Sequence, residues 1–442
     1  MNPDPSSPMR VEHDAFGEVL VPADALWGAN TQRAVDAFAV SGIRTSDRPD
    51  LVVALAQVKV AAARANLACG VLSAEHAQLI DDAGSQIAAG QHHHHFPIDI
   101  VQGGGGTATN LNMNEVIANL ASRRVGEPLG SHRPLHPIDH VNRSQSTNDV
   151  YPTALSLAVR MAGARTVAGL TVLADALRNA AQRQSDLERL GRTCLQDAVP
   201  LSVRDTHLAQ AHAVARTASV LHAALDRLLH VPLGATAIGT GIGAPSGYAP
   251  RAVAELAAIS GHPLVESANR FDALAHLDEY HGVAAAAVQV ALVVGKLAAD
   301  VRFLASGPVG GIGELQIPAV MVGSSIMPGK VNPVIPELAI QVAYDVRAAA
   351  TAVELAAAGG ELELNVMEPV VARHLLGALD ELAALAPRFA ERCVDGWRWN
   401  AEVVTQHLLG STAPLVETAA RDGYDAAARA SHRDARHDGG PA

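Results

Sequence analysis

The chain has 442 residues and a formal net charge of −12, from 33 basic and 45 acidic side chains. Hydrophobic residues make up 49% of it and aromatic residues only 3%, so its apolar mass is alanine, valine, leucine and isoleucine, which suit close helix packing. An acidic chain without a basic run argues against binding to nucleic acid or to an anionic membrane surface.

Further exclusions follow from the cysteines and the N-terminus. Three dispersed cysteines are too few for a disulfide framework or a zinc site. The polar, acidic start lacks the apolar core of a secretory signal, and no apolar stretch of about 18 residues has the flanks of a membrane span. We therefore expect a soluble cytoplasmic protein.

Long helical patterns follow a short strand-like start. Strand-like material lies at residues 11–28, where glycine and proline interrupt it. Beyond it, apolar residues recur at helical spacing in the segments 51–69, 151–189, 203–230, 280–306, 336–358 and 367–398. At about 1.5 Å per residue, the segment 151–189 predicts a rod of roughly 55 Å.

Rods of this length cannot bury their apolar faces inside one compact domain. The segment 283–300 is apolar nearly all round, which is typical of a helix surrounded by other helices. We expect an elongated bundle whose helices pack at about 20° and whose core is completed by oligomerisation. The polar end of the chain, residues 432–442, is expected to be a disordered tail.

Four polar or glycine-rich segments interrupt the helical pattern. The first, 102–115, places the glycines Gly103–Gly106 before a helix start rich in threonine and asparagine. Such glycines let backbone N–H groups approach an anion at a helix N-terminus, although a flexible hinge is the alternative. The second, 136–149, holds more short hydrogen-bonding side chains before the longest helix than a helix cap requires.

The remaining two segments differ in strength. The third, 191–197, is a polar break for which a plain helix–helix turn is the simplest interpretation. The fourth, 306–336, contains six glycines, five prolines and Lys330, and a loop of this length is uncommon unless it is functional. It is not a nucleotide-binding P-loop, because five residues separate Gly323 from Gly329 and valine follows the lysine.

Two smaller features of the sequence are interpreted without assigning them a function. The run His92–His95 is interpreted as a solvated turn, since consecutive histidines rarely reach one metal with good geometry. Cys194 lies in the third segment without a neighbouring base to activate it as a nucleophile. Neither a metal site nor a cysteine nucleophile is therefore predicted.

The fourth segment carries a resemblance to a known family. Its loop from Gly323 to Pro333, GSSIMPGKVNP, is similar to the signature of the fumarase/aspartase superfamily. The other three segments occur in the order of that family's remaining site regions, and the resemblance runs from about residue 10 to about residue 428. It implies a mainly α fold and a homotetramer with a twenty-helix core, in which each active site is shared by three subunits.

The resemblance also implies domain limits. They are an N-terminal α/β domain at 1–145, a central bundle of five long helices at 146–401, a shortened C-terminal helical domain at 402–431 and the tail at 432–442. Compared with typical members, the C-terminal domain is shortened. In some relatives that domain helps to position a lid over the site.

The chemistry implied by the resemblance is the interconversion of fumarate with a succinyl compound. Ser324 matches the general base that removes a Cβ proton, and Lys330 and Asn332, assisted by Ser325, match the groups that hold the enediolate-like charge. The positions that match substrate-binding residues are Thr107, Ser146, Thr147, Asn148 and Thr193. The glycine-rich loop would close as a lid, and the reaction needs no metal or organic cofactor.

Several details favour ammonia as the leaving group. The stretches 195–200, 233–241 and 364–369 resemble those of aspartases. Cys194 stands where fumarases, and some aspartases, have a histidine paired with the glutamate that matches Glu337. We therefore expect an ammonia-lyase that converts the small dicarboxylate L-aspartate to fumarate and ammonia.

Three alternatives remain open. Gly105 stands where alanine or serine is usual and leaves more room, which suits a fumarate-releasing C–N lyase acting on a substituted aspartate. Fumarate hydratase is the second alternative, disfavoured by Cys194, and a structural protein without activity is the third, disfavoured by the intact catalytic loop. Ile138, where asparagine is common, puts the family's peripheral anion site in doubt.

Overall fold

The computed structural model describes the backbone of residues 8–437. The described residues are mainly helical, with fourteen α-helices and eight short strands. The strands are β1 Met9–Asp14, β2 Gly17–Pro22, β3 Glu188–Thr193, β4 Gln196–Ser202, β5 His230–Val231, β6 Val265–Glu266, β7 Leu315–Gln316 and β8 Arg398–Trp399. The helices are α1 Ala29–Ala37, α2 Pro49–Ala68, α3 Ala74–Ala88, α4 Thr107–Val125, α5 Thr147–Arg183, α6 Val203–Arg227, α7 Tyr248–Ser260, α8 Arg270–Ala275, α9 Asp278–Leu304, α10 Val334–Ala358, α11 Glu368–Phe389, α12 Ala401–Leu409, α13 Pro414–Asp422 and α14 Tyr424–His437. The predicted mainly α fold is confirmed, whereas the twenty-helix tetramer core stays a prediction.

The N-terminal strands form the predicted strand-like start. β1 and β2 pair antiparallel without a break in register. The guanidinium of Arg10 donates to the carbonyl oxygens of Pro22 and Trp27, at 2.8 and 2.6 Å. Glu115 on α4 accepts the backbone N–H of Gly28 at 2.8 Å. These contacts connect the hairpin and the start of α1 to the helix whose first residue is Thr107.

Contacts divide the chain into two compact units. The first comprises the residues up to 165 together with 220–288 and 345–381, and the second comprises 166–219, 289–344 and the chain from 382 onwards. Every boundary falls inside a long helix, namely α5, α6, α9, α10 or α11. The five long helices therefore contribute to both units, and the domain limits implied by the resemblance remain a prediction.

Helix α2 organises the core of the first unit. It packs against α3 and α7, and a Cβ at Gly84 of α3 would lie 2.6 Å from Val60 Cγ2. The absence of a side chain at Gly84 thus allows the two helices to approach closely. Two polar residues of α2, Lys59 and Asn66, are buried with the apolar ones.

The third polar segment is a β-hairpin, so the predicted helix–helix turn is wrong. Helix α5 ends at Arg183, and β3 pairs antiparallel with β4. The two connecting residues, Cys194 and Leu195, have φ values of 54° and 62°. Two left-handed residues in succession match the twist of a tight hairpin. The sequence concealed this turn because it has neither glycine nor asparagine at these positions.

The C-terminal part also departs from the prediction. A single helix was expected over 367–398, but the α-helix ends at Phe389 and a π-helical turn follows at Ala390–Val394. The chain then forms β8, which pairs with β7. The predicted tail begins within α14, so residues 432–437 are helical and the rest lie outside the described residues.

Three of the described helices are long and apolar enough to cross a membrane by length and composition alone, namely α2, α5 and α9. The prediction made from the sequence concerns a stricter pattern, a stretch free of charged and polar residues with the flanks of a membrane span, and it stays a prediction. Helices that are rich in alanine, valine and leucine because other helices surround them have the same composition as membrane spans. In α2, 72% of the apolar window is buried inside the protein.

Candidate active site

The glycine run lies at the N-terminus of α4 in the first unit. Gly104, Gly105 and Gly106 all have positive φ, at 80°, 58° and 82°. A Cβ at Gly106 would lie 2.2 Å from the ring of buried Tyr151, so this position requires glycine both for its backbone and for its surroundings. The run is therefore a defined turn, which disfavours the flexible hinge.

Thr107, the first residue of α4, is exposed beside this turn. Its hydroxyl donates to the carbonyl oxygen of Gly104 at 2.7 Å. Gly105 faces the start of α11, where its missing Cβ would lie 3.5 Å from Glu368 Oε2 and from Val366, which precedes the helix. The hydroxyl oxygen of Thr107 is thus held at a helix N-terminus, where backbone N–H groups favour an anion.

The second segment leads into α5 through a π-helical turn at Pro137–Val141. Ser146 Oγ accepts the backbone N–H of Asn148 at 3.2 Å, so this serine does serve as a cap. Thr147 Oγ1 accepts from Asn110 Nδ2 at 3.0 Å, and Asn148 Nδ2 donates to the carbonyl oxygen of Ala237 at 2.8 Å. All three predicted site residues of this segment are half-buried and held by hydrogen bonds.

Asp149 lies beneath these residues and was not predicted as a site residue. Its carboxylate is fully buried and accepts the backbone N–H groups of Ser146, Gly234 and Thr236, at 3.0, 3.0 and 2.9 Å. Burial raises the pKa of Asp149 to about 6, although the three backbone hydrogen bonds act in the opposite direction. Asp149 thereby ties the start of α5 to the loop after β5.

Asn142 is a second residue that the sequence did not reveal. Its Oδ1 accepts from Lys59 Nζ at 2.9 Å and from Asn110 and Asn114 Nδ2, each at 3.2 Å. Only the buried lysine, one of three in the chain, offered a signal, and its burial is not visible in the sequence.

The hairpin tip in the second unit presents Thr193 and Cys194. Both residues are exposed, and Cys194 is a free cysteine. Glu337 lies in the first turn of α10, with its Oε1 3.9 Å from Arg302 Nη2. Within the second unit, Glu337 thus pairs with an arginine rather than a histidine.

In the glycine-rich loop before α10, Ser324 lies at a constriction, the point where the backbone at Gly323 approaches that of Lys330. Gly323 donates its N–H to the carbonyl oxygen of Lys330 at 3.2 Å, and Asn332 Nδ2 donates to the carbonyl oxygen of Gly323 at 2.7 Å. Ser324 Oγ accepts the N–H groups of Ile326 and Met327, at 3.2 and 3.0 Å. Two N–H groups directed at one hydroxyl oxygen are the contacts that stabilise negative charge on it.

The other predicted residues of the loop are solvent-accessible. Ser325 and Lys330 are exposed, whereas Ser324 and Asn332 are half-buried. A Cβ at Gly323 would lie 2.3 Å from the carbonyl oxygen of Lys330, so the constriction requires glycine. The loop therefore presents an ammonium group and a hydroxyl oxygen from a short segment with a defined backbone.

A buried carboxylate anchors the start of this loop. Glu314 is fully buried and accepts two hydrogen bonds from Arg192, at 2.6 and 3.1 Å. His407 Nδ1 on α12 lies 2.7 Å from the same carboxylate. Burial raises the pKa of Glu314, but the hydrogen bonds from Arg192 and His407 outweigh it and hold the pKa below its ordinary value. Glu314 thus joins the loop, the hairpin that carries Thr193, and the C-terminal helices.

The histidine run was expected to be a solvated turn, and this expectation is wrong for one of its residues. His95 is buried against Trp27 and accepts the backbone N–H of Leu26 at Nδ1, at 3.3 Å. Burial lowers the pKa of His95 to about 4. Among the described residues, no group of three or more histidine, cysteine, aspartate or glutamate side chains is placed to hold a metal ion.

Comparisons with known proteins show the family to which the chain belongs. The family model described as "Lyase" matches residues 17–348. The chain is 42% identical over 423 residues to fumarate hydratase class II of Nitrosomonas europaea, covering 95% of this chain and 90% of that protein. It is also 42% identical over 404 residues to aspartate ammonia-lyase of Corynebacterium glutamicum, covering 91% of this chain and 77% of that protein. The chain belongs to the fumarase/aspartase superfamily of lyases.

Solved structures of relatives match nearly the full length of the chain. A fumarate lyase:delta crystallin from Brucella melitensis matches with a TM-score of 0.94 at 38% identity, covering 97% of this chain and 94% of that one. A class II fumarase from Schistosoma mansoni matches with the same TM-score at 30% identity, covering 98% and 94%. The predicted family is confirmed. The relatives named fumarate hydratase and aspartate ammonia-lyase have the same sequence identity to this superfamily member.

Proposed function

We propose that this lyase converts L-aspartate to fumarate and ammonia. The observation that carries the proposal is Cys194 at the hairpin tip, where fumarases have a histidine. Hydroxide is a poor leaving group and requires a proton donor, whereas an alkylammonium is already protonated at neutral pH and departs as neutral ammonia. A site with a thiol in place of the imidazole is therefore better suited to deamination.

Ser324 is the proposed general base. Its Oγ takes the Cβ proton, and the electrons of the Cβ–H bond pass through the enediolate-like intermediate into the new C=C bond. The Cα–N bond then breaks and its electron pair leaves with ammonia. The two N–H groups that donate to Ser324 Oγ support this role, because they stabilise the serine as an alkoxide.

The charge that develops on the substrate carboxylate is held by neighbouring groups of the same loop. Lys330 supplies an exposed ammonium, and Asn332 and Ser325 supply further donors. The residues proposed to bind the two carboxylates and the α-amino group are Thr107, Ser146, Thr147, Asn148 and Thr193. Cys194 shapes this site, and Glu337 acts without a histidine partner. No metal or organic cofactor takes part.

The assembly proposed is a homotetramer in the cytoplasm whose active sites each combine segments from three subunits. Long helices that expose large apolar side chains support it: Leu292 on α9, and Tyr344 and Leu355 on α10, are 53%, 62% and 69% exposed in the single chain. Apolar surface on such rods is usually covered by further helices. No nucleic acid or membrane partner is proposed.

The direct test is fumarate release, followed by ultraviolet absorbance. Purified protein is incubated separately with L-aspartate, L-malate and N-substituted aspartates. We expect fumarate from L-aspartate and none from L-malate. Fumarate from malate but not from aspartate would contradict the proposal and establish a hydratase.

A second candidate is a C–N lyase acting on a substituted aspartate. The absence of a side chain at Gly105 and the exposed position of Thr107 favour it, because together they leave more room beside this turn than an alanine or serine would. Fumarate released only from a substituted aspartate would select this candidate.

A further inference from the structure

Lys59 is a fully buried lysine with no role in the proposed chemistry. It lies in the middle of α2 and has no solvent-exposed surface. Its Nζ donates to Asn142 Oδ1 and to Gln145 Oε1, each at 2.9 Å. Both acceptors belong to the short segment that immediately precedes the proposed substrate-binding residue Ser146. Both hydrogen bonds that this buried group makes to described residues are thus directed at the segment that leads into the proposed site.

The hydrogen bonds continue from Lys59 to a proposed substrate-binding hydroxyl. Asn142 Oδ1 also accepts from Asn110 Nδ2 at 3.2 Å, and the same Nδ2 donates to Thr147 Oγ1 at 3.0 Å. Because Asn110 donates to the oxygen of Thr147, the hydroxyl proton is left to donate elsewhere. A carboxylate oxygen is the acceptor that a dicarboxylate substrate provides.

The same helix face holds the segment at a second point. Asn66, seven residues after Lys59 on α2, donates from Nδ2 to the carbonyl oxygen of Arg143 at 2.8 Å. Residues seven apart lie on one face of a helix. Helix α2 therefore fixes both the side chains and the backbone of the loop that carries Asn142.

Asp149 is the buried carboxylate whose charge acts on Lys59, but it forms no direct ion pair with the lysine. The oxygens of Asp149 accept backbone N–H groups of Ser146, Gly234 and Thr236. Burial lowers the pKa of Lys59 to about 7, and the charge of Asp149 raises it. The lysine thus makes its hydrogen bonds to neutral amides, and an ion pair does not explain its position.

We propose that Lys59 is a positioning residue for substrate binding, which orients Asn142 and, through Asn110, holds the Thr147 hydroxyl as a donor to a substrate carboxylate. This inference rests on the proposed function only in taking the ligand to be a dicarboxylate bound at residues 146–148. It assigns Lys59 no contact with substrate.

The test compares Lys59→Met with Lys296→Met. Lys296 is exposed on α9, where it pairs with Asp300, and provides the matched control. For Lys59→Met we expect KM for the substrate to rise roughly tenfold to hundredfold, the effect of losing an oriented hydrogen bond to a charged group, with kcat changed much less. For Lys296→Met, both constants should equal those of the wild type.

A ligand-binding readout keeps the test independent of turnover. Fumarate is expected to raise the melting temperature of the wild type and of Lys296→Met, and to raise that of Lys59→Met much less at the same concentration. If methionine prevents folding, Lys59→Gln, which retains a polar group, is measured with the same expectation. A merely structural lysine would lower the melting temperature without ligand and leave KM and the fumarate-induced shift unchanged.

The outcomes separate this inference from the proposed function. A folded Lys59 variant with wild-type KM and a wild-type fumarate shift overturns the inference, whatever the substrate is. Failure of the wild type to release fumarate from any aspartate or malate overturns the proposed function, while the fumarate-induced shift still tests Lys59.

Discussion

Replacing Ser324 by alanine is expected to lower kcat by about a thousandfold, within the range by which a positioned general base accelerates proton transfer. The change removes the hydroxyl oxygen that accepts the backbone N–H groups of Ile326 and Met327. Ser324 lies in an irregular, partly exposed segment, so the melting temperature should change little. The measurement is fumarate release at saturating substrate, with circular dichroism to confirm the fold.

The neighbouring hydroxyl provides the control. Ser325 is exposed and is assigned only an assisting role, so Ser325→Ala should retain a much larger share of kcat than Ser324→Ala. A Ser324→Ala enzyme with wild-type kcat would exclude this serine as the base. Equal losses in the two variants would indicate a general effect of the loop rather than proton abstraction by Ser324.

Replacing Arg192 by methionine is expected to destabilise the protein by about 3–5 kcal/mol, because it leaves the carboxylate of Glu314 buried without its strongest partner. Glu314 has no exposed surface and receives two hydrogen bonds from Arg192. Thermal or denaturant unfolding measures the loss. The double variant Arg192→Met/Glu314→Gln should recover part of it, since the buried charge is then absent.

The pH dependence of this pair has a definite sign. The folded-state pKa of Glu314 is held below its ordinary value, so the pair contributes stability above the ordinary pKa of a glutamate and loses it as the pH falls through the folded-state value. The exposed pair of Arg178 and Asp175 is the control, and Arg178→Met should cost at most about 1 kcal/mol. A cost for Arg192→Met no larger than that of the control would contradict the buried-pair account.

Most of the long helices were predictable from apolar spacing to within a few residues, but α5 and α11 end earlier than the segments 151–189 and 367–398 predicted. The segments 51–69 and 336–358 became Pro49–Ala68 and Val334–Ala358, because such rods bury one face along their whole length and keep their period. The hairpin that carries Thr193 was not predictable. Its turn places Cys194 and Leu195 in the left-handed region, because these two residues alone connect the paired ends of β3 and β4, against the preference of both residues.

The candidate site was predictable where glycine and polar residues interrupted the helical pattern. Ser324 and Thr147 were predicted in this way, and the structure gives both defined hydrogen-bond partners, while their roles in the site stay predictions. Lys59, Asn142 and Glu314 were missed, because each acts through contacts with residues distant in sequence. Burial of a charge is a tertiary property, and a lysine within an apolar helix pattern was the only local sign of it.

The most direct measurement exposes fumarate to two nucleophiles at once, ammonia and water. Fumarate is incubated with the protein and ammonium chloride in heavy water, and the products are identified by proton NMR. We predict aspartate that carries a single deuterium at Cβ, because the reverse reaction adds ammonia at Cα and a solvent-derived deuteron at Cβ. Malate accumulating without aspartate would contradict it.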